Sequence, residues 1–269
     1  MKNMPENAWD LLDRPEITRC LFHPRSEELI LHGMSPDRDI FIPVKDDAVI
    51  GACFHMCQKN GANILFFHGN GEIVADYQEM GEIYNRMGIN FLAADYRGYG
   101  RSTGSPSVSA MMRDSHTIFA FTCNWLKERE YTGPLIVMGR SLGSASALEL
   151  AHACGDQMHG LIVESGFAFA IPLLRRLGVP FTATSFEEKQ GFANLEKIRN
   201  FDRPVLIIHA AHDHIIPFSD GQTLYDACGS ADKTLLRIPG ADHNTLLHAG
   251  FSEYMKAVKT LAEKAELRI

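Results

Sequence analysis

The sequence predicts an α/β protein built on a mostly parallel, twisted sheet with helices on both faces. Short apolar runs alternate with longer amphipathic runs through most of the 269 residues, and this alternation is typical of βαβ units. The apolar runs are continuous, which indicates strands that are buried on both faces. We find no internal repeat, low-complexity tract or linker. The sequence therefore predicts a single domain over residues 1–269.

The predicted elements begin after residue 36, because residues 1–36 have no clear pattern. Two strands, 39–44 and 48–57, are joined tightly and predict an opening hairpin. Further strands are predicted at 64–67, 90–94, 135–138, 160–163, 205–209 and 234–238. Helices are predicted at 74–87, 109–130, 142–153 and 245–267. The alternation breaks over 165–200, which we interpret as a short cap insertion over the sheet.

Composition narrows the class of protein. The formal charge of −7, from 33 acidic and 26 basic residues, disfavours nucleic acid as a partner, because polyanions need a concentrated basic surface. The N-terminus is polar and no stretch approaches the ~20 apolar residues of a membrane helix, so we expect a soluble, cytoplasmic protein. The six cysteines form no CxxC pair and predict reduced core residues rather than a metal site.

The most informative motif is Gly139-Arg140-Ser141-Leu142-Gly143, which fits G-x-S-x-G. It lies where an apolar strand meets a helix rich in small residues, which is the context that a nucleophile elbow requires. Glycines on both sides of the serine remove the side chains that would clash in such a sharp turn. The alternative is an ordinary strand–helix turn with a serine cap. We interpret Ser141 as a nucleophile.

A serine hydroxyl needs a base, and the base needs a carboxylate that holds it in one tautomer. Asp213 follows the predicted strand 205–209, and His243 follows the strand 234–238, in the chain order serine, acid, histidine. Glu164 and Asp242 are the alternatives for the acid, and we rank both below Asp213. Each residue could by itself be an ordinary loop residue, but the order of all three predicts a triad.

The turn His68-Gly69-Asn70-Gly71 follows a strand and precedes a helix, so its backbone N–H groups can face a bound anion. We predict that the N–H groups of Asn70 and Leu142 form an oxyanion hole. The turn lacks the third glycine of a dinucleotide fingerprint. His209, His212 and His214 are close in sequence but divide between a strand and a turn, so we predict no metal site there.

With these motifs, and with the segment Asp95-Tyr96-Arg97-Gly98-Tyr99-Gly100-Arg101-Ser102, the sequence resembles the α/β-hydrolase family over roughly residues 40–265. Within that family it is similar to the abhydrolase-domain serine hydrolases and to the serine aminopeptidase-like group of monoacylglycerol lipases. The resemblance implies an α/β-hydrolase fold, hydrolysis of acyl esters or thioesters without a cofactor, and a structural role for the 95–102 segment. The chain departs from the family in having Ala210-Ala211 where Gly-x-x-Asp is usual.

We therefore predict a serine hydrolase that cleaves a carboxylic ester or thioester of an acyl chain through an acyl-enzyme. Phe167, Phe169, Leu173 and Leu174 of the insertion are expected either to line the substrate pocket or to pack onto the sheet. Basic residues of the insertion suggest contact with an anionic membrane surface as a weaker hypothesis. The alternatives are a peptidase, amidase or acyltransferase that uses the same triad, or a non-catalytic ligand-binding protein on a hydrolase scaffold.

Overall fold

The computed structural model describes residues 9–27, 37–184 and 186–267. Its eight strands form one sheet in the order β1-β2-β4-β3-β5-β6-β7-β8. The strands are β1 (Asp39–Pro43), β2 (Val49–His55), β3 (Asn63–Phe67), β4 (Asn90–Ala94), β5 (Leu135–Arg140), β6 (Gly160–Glu164), β7 (Val205–Ala210) and β8 (Lys233–Ile238). The first two strands form the predicted antiparallel hairpin, and β3 to β8 are parallel. The predicted mostly parallel sheet is confirmed.

Helices cover both faces of this sheet. They are α1 (Pro15–Leu21), α2 (Gln78–Arg86), α3 (Val108–Glu128), α4 (Gly143–Cys154), α5 (Ala170–Arg176), α6 (Asn194–Ile198), α7 (Phe218–Ala227), α8 (Leu246–Ala249) and α9 (Phe251–Glu266). Short 3₁₀ turns lie at Val74–Tyr77, Gly155–Gln157, Phe181–Thr184 and Glu188–Gln190. Successive strand residues enter opposite cores: Phe67 and Val137 pack on one face, and Phe66 and Met138 pack on the other. This two-sided burial explains why the strands are continuous apolar runs.

Outside the insertion, the helices differ from the sequence prediction in three places. The helix predicted at 245–267 is two helices, α8 and α9, because the backbone at Gly250 is not helical. Helix α1 lies within the unassigned segment 1–36, and the prediction contained no helix at α7. Both are short helices, of 7 and 10 residues, so each offers fewer than three turns of periodicity to recognise.

All six cysteines are free thiols. Cys53, Cys154 and Cys228 are buried, as expected of core residues. Cys20 and Cys123 are half-buried and pack against the core, whereas Cys57 is exposed, so the prediction of six core cysteines was wrong for Cys57. Cys57 lies beyond the end of β2, where the strand no longer places side chains into a core.

A buried ion cluster ties the segment after β6 to the main body of the fold. Lys197 on α6 places its Nζ 2.9 Å from the Glu149 carboxylate on α4, and His116 on α3 places Nε2 3.0 Å from the same carboxylate. Burial opposes the charge on Glu149, but the His116 hydrogen bond and the Lys197 charge outweigh it and lower the pKa of Glu149 to about 2. One carboxylate therefore joins three helices.

This cluster predicts a pH-dependent stability. Contacts with the Cys154 sulfur and the Glu149 carboxylate raise the pKa of His116 from 6.5 to about 9. A raised pKa stabilises the fold fully below pH 6.5, and this contribution is lost as the pH rises through 9. The unfolding free energy of wild type minus that of His116→Gln, measured by urea titration, should decrease as the pH rises from 6.5 to about 9. The exposed His248 supplies the control. If the unfolding free energy of wild type minus that of His248→Gln decreased by the same amount over this pH range, the assignment to His116 would be contradicted.

Candidate active site

Ser141 lies on a sharp turn between β5 and α4. Its φ is +51°, a left-handed conformation that a non-glycine residue adopts only when its surroundings enforce it. A Cβ on Gly139 would lie 2.3 Å from the Gly143 carbonyl oxygen, and a Cβ on Gly143 would lie 2.1 Å from the Phe67 carbonyl oxygen. Both glycines are therefore required by close backbone approach. The turn is further held by the Ser141 N–H, which donates to the Glu164 carbonyl at 2.8 Å.

His243 and Asp213 meet Ser141 in one line of hydrogen bonds. His243 Nε2 lies 3.1 Å from Ser141 Oγ, and His243 Nδ1 lies 2.7 Å from Asp213 Oδ2. The three side chains come from the ends of β5, β7 and β8, which are parallel and share one edge of the sheet. All three residues are at most 9% exposed. The arrangement has the geometry of a serine nucleophile, a base and an orienting carboxylate.

Asp213 is held as a carboxylate by its hydrogen bonds. Its Oδ1 accepts from the N–H groups of Ile215 and Ile216 at 2.9 and 2.8 Å, which leaves Oδ2 for His243. Burial works to raise the pKa of Asp213, but the His243 and Ile216 contacts outweigh it, and the pKa lies below its usual value. An ionised carboxylate beside Nδ1 favours the tautomer in which Nε2 is free to accept a proton.

The two alternative acids are engaged elsewhere. Glu164 accepts from the Tyr254 hydroxyl at 2.7 Å and pairs with the Arg140 guanidinium at 3.1 Å. Burial raises the pKa of Glu164 despite these partners. Asp242 accepts from the Asn244 and Thr245 N–H groups and so closes the turn that carries His243. Of the three candidate carboxylates, Asp213 is the one that forms a hydrogen bond with the imidazole.

The residues predicted for the oxyanion hole lie beside the serine. Asn70 and Leu142 line the same cavity as Ser141 and His243. Within residues 9–27, 37–184 and 186–267, neither the Asn70 N–H nor the Leu142 N–H donates to a protein acceptor. Two free N–H groups at one cavity can receive the negative oxygen of a tetrahedral intermediate.

The cavity at Ser141 has a volume of about 280 Å³. Its apolar wall consists of Leu21, Leu142, Leu173, Leu177 and Ile215. Of the four insertion residues considered for the pocket, Leu173 lines it. Phe167 and Leu174 are fully buried in the core, where the Phe167 ring contacts Phe192, and Phe169 packs against the same core. For these three residues the alternative interpretation, packing onto the fold, describes the structure.

Arg140 connects the loops around the site through partners that the sequence did not identify. Its guanidinium pairs with Glu72 at 3.0 Å and with Glu164 at 3.1 Å, and it donates to the His243 carbonyl at 2.9 Å. Glu72 in turn accepts from the Gly69 N–H at 2.6 Å. Burial opposes the charge on Arg140, but the two carboxylates outweigh it and raise its pKa. The two carboxylates thus neutralise Arg140, which holds the loop of His243 next to the turn of residues 68–71.

Removing this guanidinium is expected to destabilise the fold. Arg140→Met leaves the buried Glu164 carboxylate without its cation and removes the partner of the half-buried Glu72 carboxylate. Breaking a buried ion pair costs about 3–5 kcal/mol. The unfolding free energy from urea titration measures the loss. Arg129→Gln is the control, because Arg129 and Glu128 form an exposed pair whose loss costs far less. Equal losses for the two variants would show that Arg140 does not hold the site.

His209, His212 and His214 do not converge. His209 is fully buried, and its Nε2 donates to the Ile216 carbonyl at 2.8 Å, whereas His212 and His214 are exposed. In the described parts of the chain, no group of three or more His, Cys, Asp or Glu side chains is placed to hold a metal ion. Burial lowers the pKa of His209, so it lies as a neutral ring beside Asp213.

A mostly parallel eight-stranded sheet, with a serine on a strand–helix elbow and a histidine within hydrogen-bond distance, defines the α/β-hydrolase class. The model of the serine aminopeptidase S33 family matches residues 58–188 and 189–249. The chain belongs to this family, so the predicted resemblance and fold are confirmed.

Curated relatives support this assignment. The chain is 30% identical to the α/β hydrolase domain-containing protein aho-3 of Caenorhabditis elegans, over 72% of this chain and 56% of the relative. It is 30% identical to the human α/β hydrolase domain-containing protein 17C, over 78% and 62%. It is 31% identical to the lysophosphatidylserine lipase ABHD12 of Xenopus tropicalis, over 62% and 47%. The chain thus spans about half to two thirds of the length of these relatives.

Solved structures share the fold. The Pyrococcus furiosus esterase Pf2001 superposes with a TM-score of 0.70 at 15% identity, over 89% of this chain and 99% of the esterase. A soluble variant of the Saccharomyces cerevisiae monoglyceride lipase superposes with a TM-score of 0.68 at 19% identity, over 89% and 98%. In the described residues, no helix has the length and apolar character needed to cross a membrane.

Proposed function

We propose that this chain is a serine hydrolase that cleaves carboxylic esters or thioesters of an acyl chain. The observation that carries the proposal is the unbroken line from Ser141 Oγ through His243 to the Asp213 carboxylate, at a cavity with an apolar wall. Family membership and relatives named as a lipase and as α/β hydrolases support an ester-cleaving enzyme. The reaction needs no cofactor in this proposal, and a cytoplasmic location stays a prediction.

In the first half-reaction His243 Nε2 takes the proton from Ser141 Oγ as the oxygen attacks the acyl carbonyl. The new imidazolium is stabilised by Asp213, and the oxyanion is received by the N–H groups of Asn70 and Leu142. His243 then gives its proton to the leaving oxygen or sulfur as the C–O or C–S bond breaks. An acyl group remains on Ser141.

In the second half-reaction a water molecule replaces the leaving group. His243 takes a proton from that water, the resulting hydroxide attacks the acyl carbonyl, and the same two N–H groups receive the oxyanion again. The bond to Ser141 breaks, the serine recovers its proton from His243, and the carboxylic acid leaves. The insertion supplies Leu173 and Leu177 to the cavity wall, and we propose that it acts as the cap of a single domain.

A p-nitrophenyl ester series from acetate to palmitate tests the proposal, together with mass-spectrometric mapping of a fluorophosphonate label. We expect turnover and a label on Ser141. Turnover of p-nitroanilides instead would favour a peptidase or amidase, and acyl transfer to an added alcohol in preference to water would favour an acyltransferase. The absence of both turnover and labelling would favour a non-catalytic binding protein.

The cavity predicts the chain length that reacts best. A volume of about 280 Å³ lies just below the range of ~300–1,000 Å³ that is usual for ligand pockets. We therefore expect the highest kcat/KM between butyrate and octanoate. Leu173→Trp should shift the optimum to shorter chains. Each methylene that the larger side chain excludes from the cavity removes about 0.8 kcal/mol of burial free energy, which lowers kcat/KM about fourfold.

Phe169→Leu is the control for this variant. Phe169 also belongs to the insertion, but it is half-buried against the core and does not line the cavity. Its substitution should therefore leave the preferred chain length unchanged. An optimum that Leu173→Trp also leaves unchanged would show that the acyl chain binds elsewhere.

A further inference from the structure

The side chain of Asn70 is held by two residues outside its own loop. One is Tyr99, in the 95–102 segment, which is fully buried. Its hydroxyl donates to Asn70 Oδ1 at 2.6 Å and accepts from the His23 N–H at 2.8 Å. The centre of the Tyr99 ring lies 5.7 Å from that of the His68 ring, so the ring and the hydroxyl of Tyr99 both lie against the turn of residues 68–71.

The second residue is His23, in the segment 22–27 that follows α1. Its N–H also donates to Asn70 Oδ1, at 2.8 Å, and its Nδ1 lies 2.7 Å from Asn70 Nδ2. Because Asn70 Nδ2 can only donate, Nδ1 of His23 is the acceptor. Each end of the Asn70 carboxamide therefore has a partner.

The segment that carries His23 is itself anchored. The Gly100 N–H donates to the Arg25 carbonyl at 2.8 Å, and the Glu27 N–H donates to the Gly100 carbonyl at 3.1 Å. Just before this segment, Leu21 lines the cavity at Ser141. The N-terminal segment thus runs along the 95–102 segment and reaches the proposed site from outside the sheet.

We propose that Tyr99 and His23 are positioning residues that hold the oxyanion hole in its reactive geometry through the Asn70 side chain. The inference rests on the proposed function, in which the Asn70 N–H receives the oxyanion. An oxyanion donor must lie about 2.7–3.1 Å from the developing charge, so rotation of the Asn70 residue by a small angle weakens it. The carboxamide, held at both ends, opposes that rotation.

Tyr99→Phe tests the proposal directly, because it removes one hydroxyl and keeps the ring packing. We expect kcat to fall about three- to tenfold, the value of one neutral hydrogen bond, with KM nearly unchanged. We expect kcat to change without KM because the oxyanion contact forms in the transition state and not with the bound ester. Tyr225→Phe is the matched control: its ring contacts Lys233 on another part of the sheet, and its kcat should equal that of wild type.

His23 allows a rescue experiment. His23→Ala removes the acceptor of the Asn70 amide and should lower kcat, whereas His23→Asn offers a carboxamide oxygen near the position of Nδ1 and should restore most of it. Asn70→Ala removes the group through which both residues act. In that background Tyr99→Phe and His23→Ala should each add less than about a twofold loss, since residues that share one network are not additive.

Hydrogen exchange separates this proposal from the proposed function. In Ser141→Ala protein, Tyr99→Phe should speed amide exchange in the 68–72 loop about three- to tenfold while other segments keep their rates. Unchanged exchange, or kinetic losses that are fully additive with Asn70→Ala, would overturn the positioning role. If the wild-type protein hydrolysed no ester while Tyr99→Phe still sped exchange in the 68–72 loop, the hydrolase proposal would be contradicted and the positioning of Asn70 would be supported.

Discussion

Ser141→Ala is expected to lower kcat for the best p-nitrophenyl ester by about 10⁶-fold, the loss found when the nucleophile of another serine hydrolase is removed. Alanine keeps the backbone of the elbow but has no oxygen to form the acyl-enzyme. The remaining rate would come from the oxyanion hole and substrate binding alone. Steady-state kinetics across the ester concentration range and labelling by a fluorophosphonate measure the effect.

Ser146→Ala is the matched control for this variant. Ser146 is buried in α4, a short distance along the chain from the elbow, and its hydroxyl has no hydrogen-bond partner in the described ranges. Removal of the Ser146 hydroxyl should leave kcat within about twofold of wild type, since the variant keeps the fold and the triad residues. Thermal melting should show both variants folded. A folded Ser141→Ala protein that retains one hundredth or more of wild-type turnover would contradict the nucleophile assignment.

Asp213→Asn is expected to lower kcat by about 10⁴-fold, as the equivalent change does in a well-studied triad. The oxygen of the new carboxamide would keep the two backbone bonds from Ile215 and Ile216, so its NH₂ group would face His243 Nδ1. Nδ1 must then accept, and the ring proton moves to Nε2, where it blocks proton transfer from Ser141. The pH–rate profile of the variant measures the loss across the range where the enzyme stays folded.

Asp242→Asn controls for the removal of a charge near the histidine. Asp242 accepts from the N–H groups of Asn244 and Thr245, and an amide oxygen can do the same. We expect a loss of less than about threefold, since neutral hydrogen bonds at an exposed turn replace charged ones. If Asp242→Asn matched or exceeded the loss in Asp213→Asn, Asp213 would not be the acid that orients His243.

Local patterns predicted the most important parts of this fold. The strands are continuous apolar runs because both faces of the sheet are covered, and that composition is visible without the structure. The elbow motif is local in sequence, and Gly139 is required by a contact with Gly143 inside the turn, whereas Gly143 is required by the Phe67 carbonyl on the neighbouring strand β3. Asp213 and His243 were predicted because each follows an apolar strand in the chain order serine, acid, histidine, and the parallel sheet brings the ends of those strands to one edge.

Other features could not be predicted because they depend on contacts between distant segments. Phe167 has the residue type expected of an acyl pocket, yet it packs against Phe192 in the core. Helix α1 is too short to have a recognisable period, although Leu21 at its end reaches the cavity. Gly250 divides the last helical segment, and glycine within an amphipathic run does not by itself specify a break.

The sequence by itself determined the α/β class, the order of the strands along the chain and the identity of the candidate nucleophile, acid and base. These follow from periodicity and from turns only a few residues long, where local backbone geometry decides the outcome. The tertiary structure alone decided that Arg140 bridges Glu72, Glu164 and the His243 loop, and that Tyr99 and His23 hold Asn70. Tyr99 and Asn70 are 29 residues apart, and Arg140 and His243 are 103 residues apart. Such side chains meet only when the folded sheet brings their loops together, and no short-range pattern encodes that meeting.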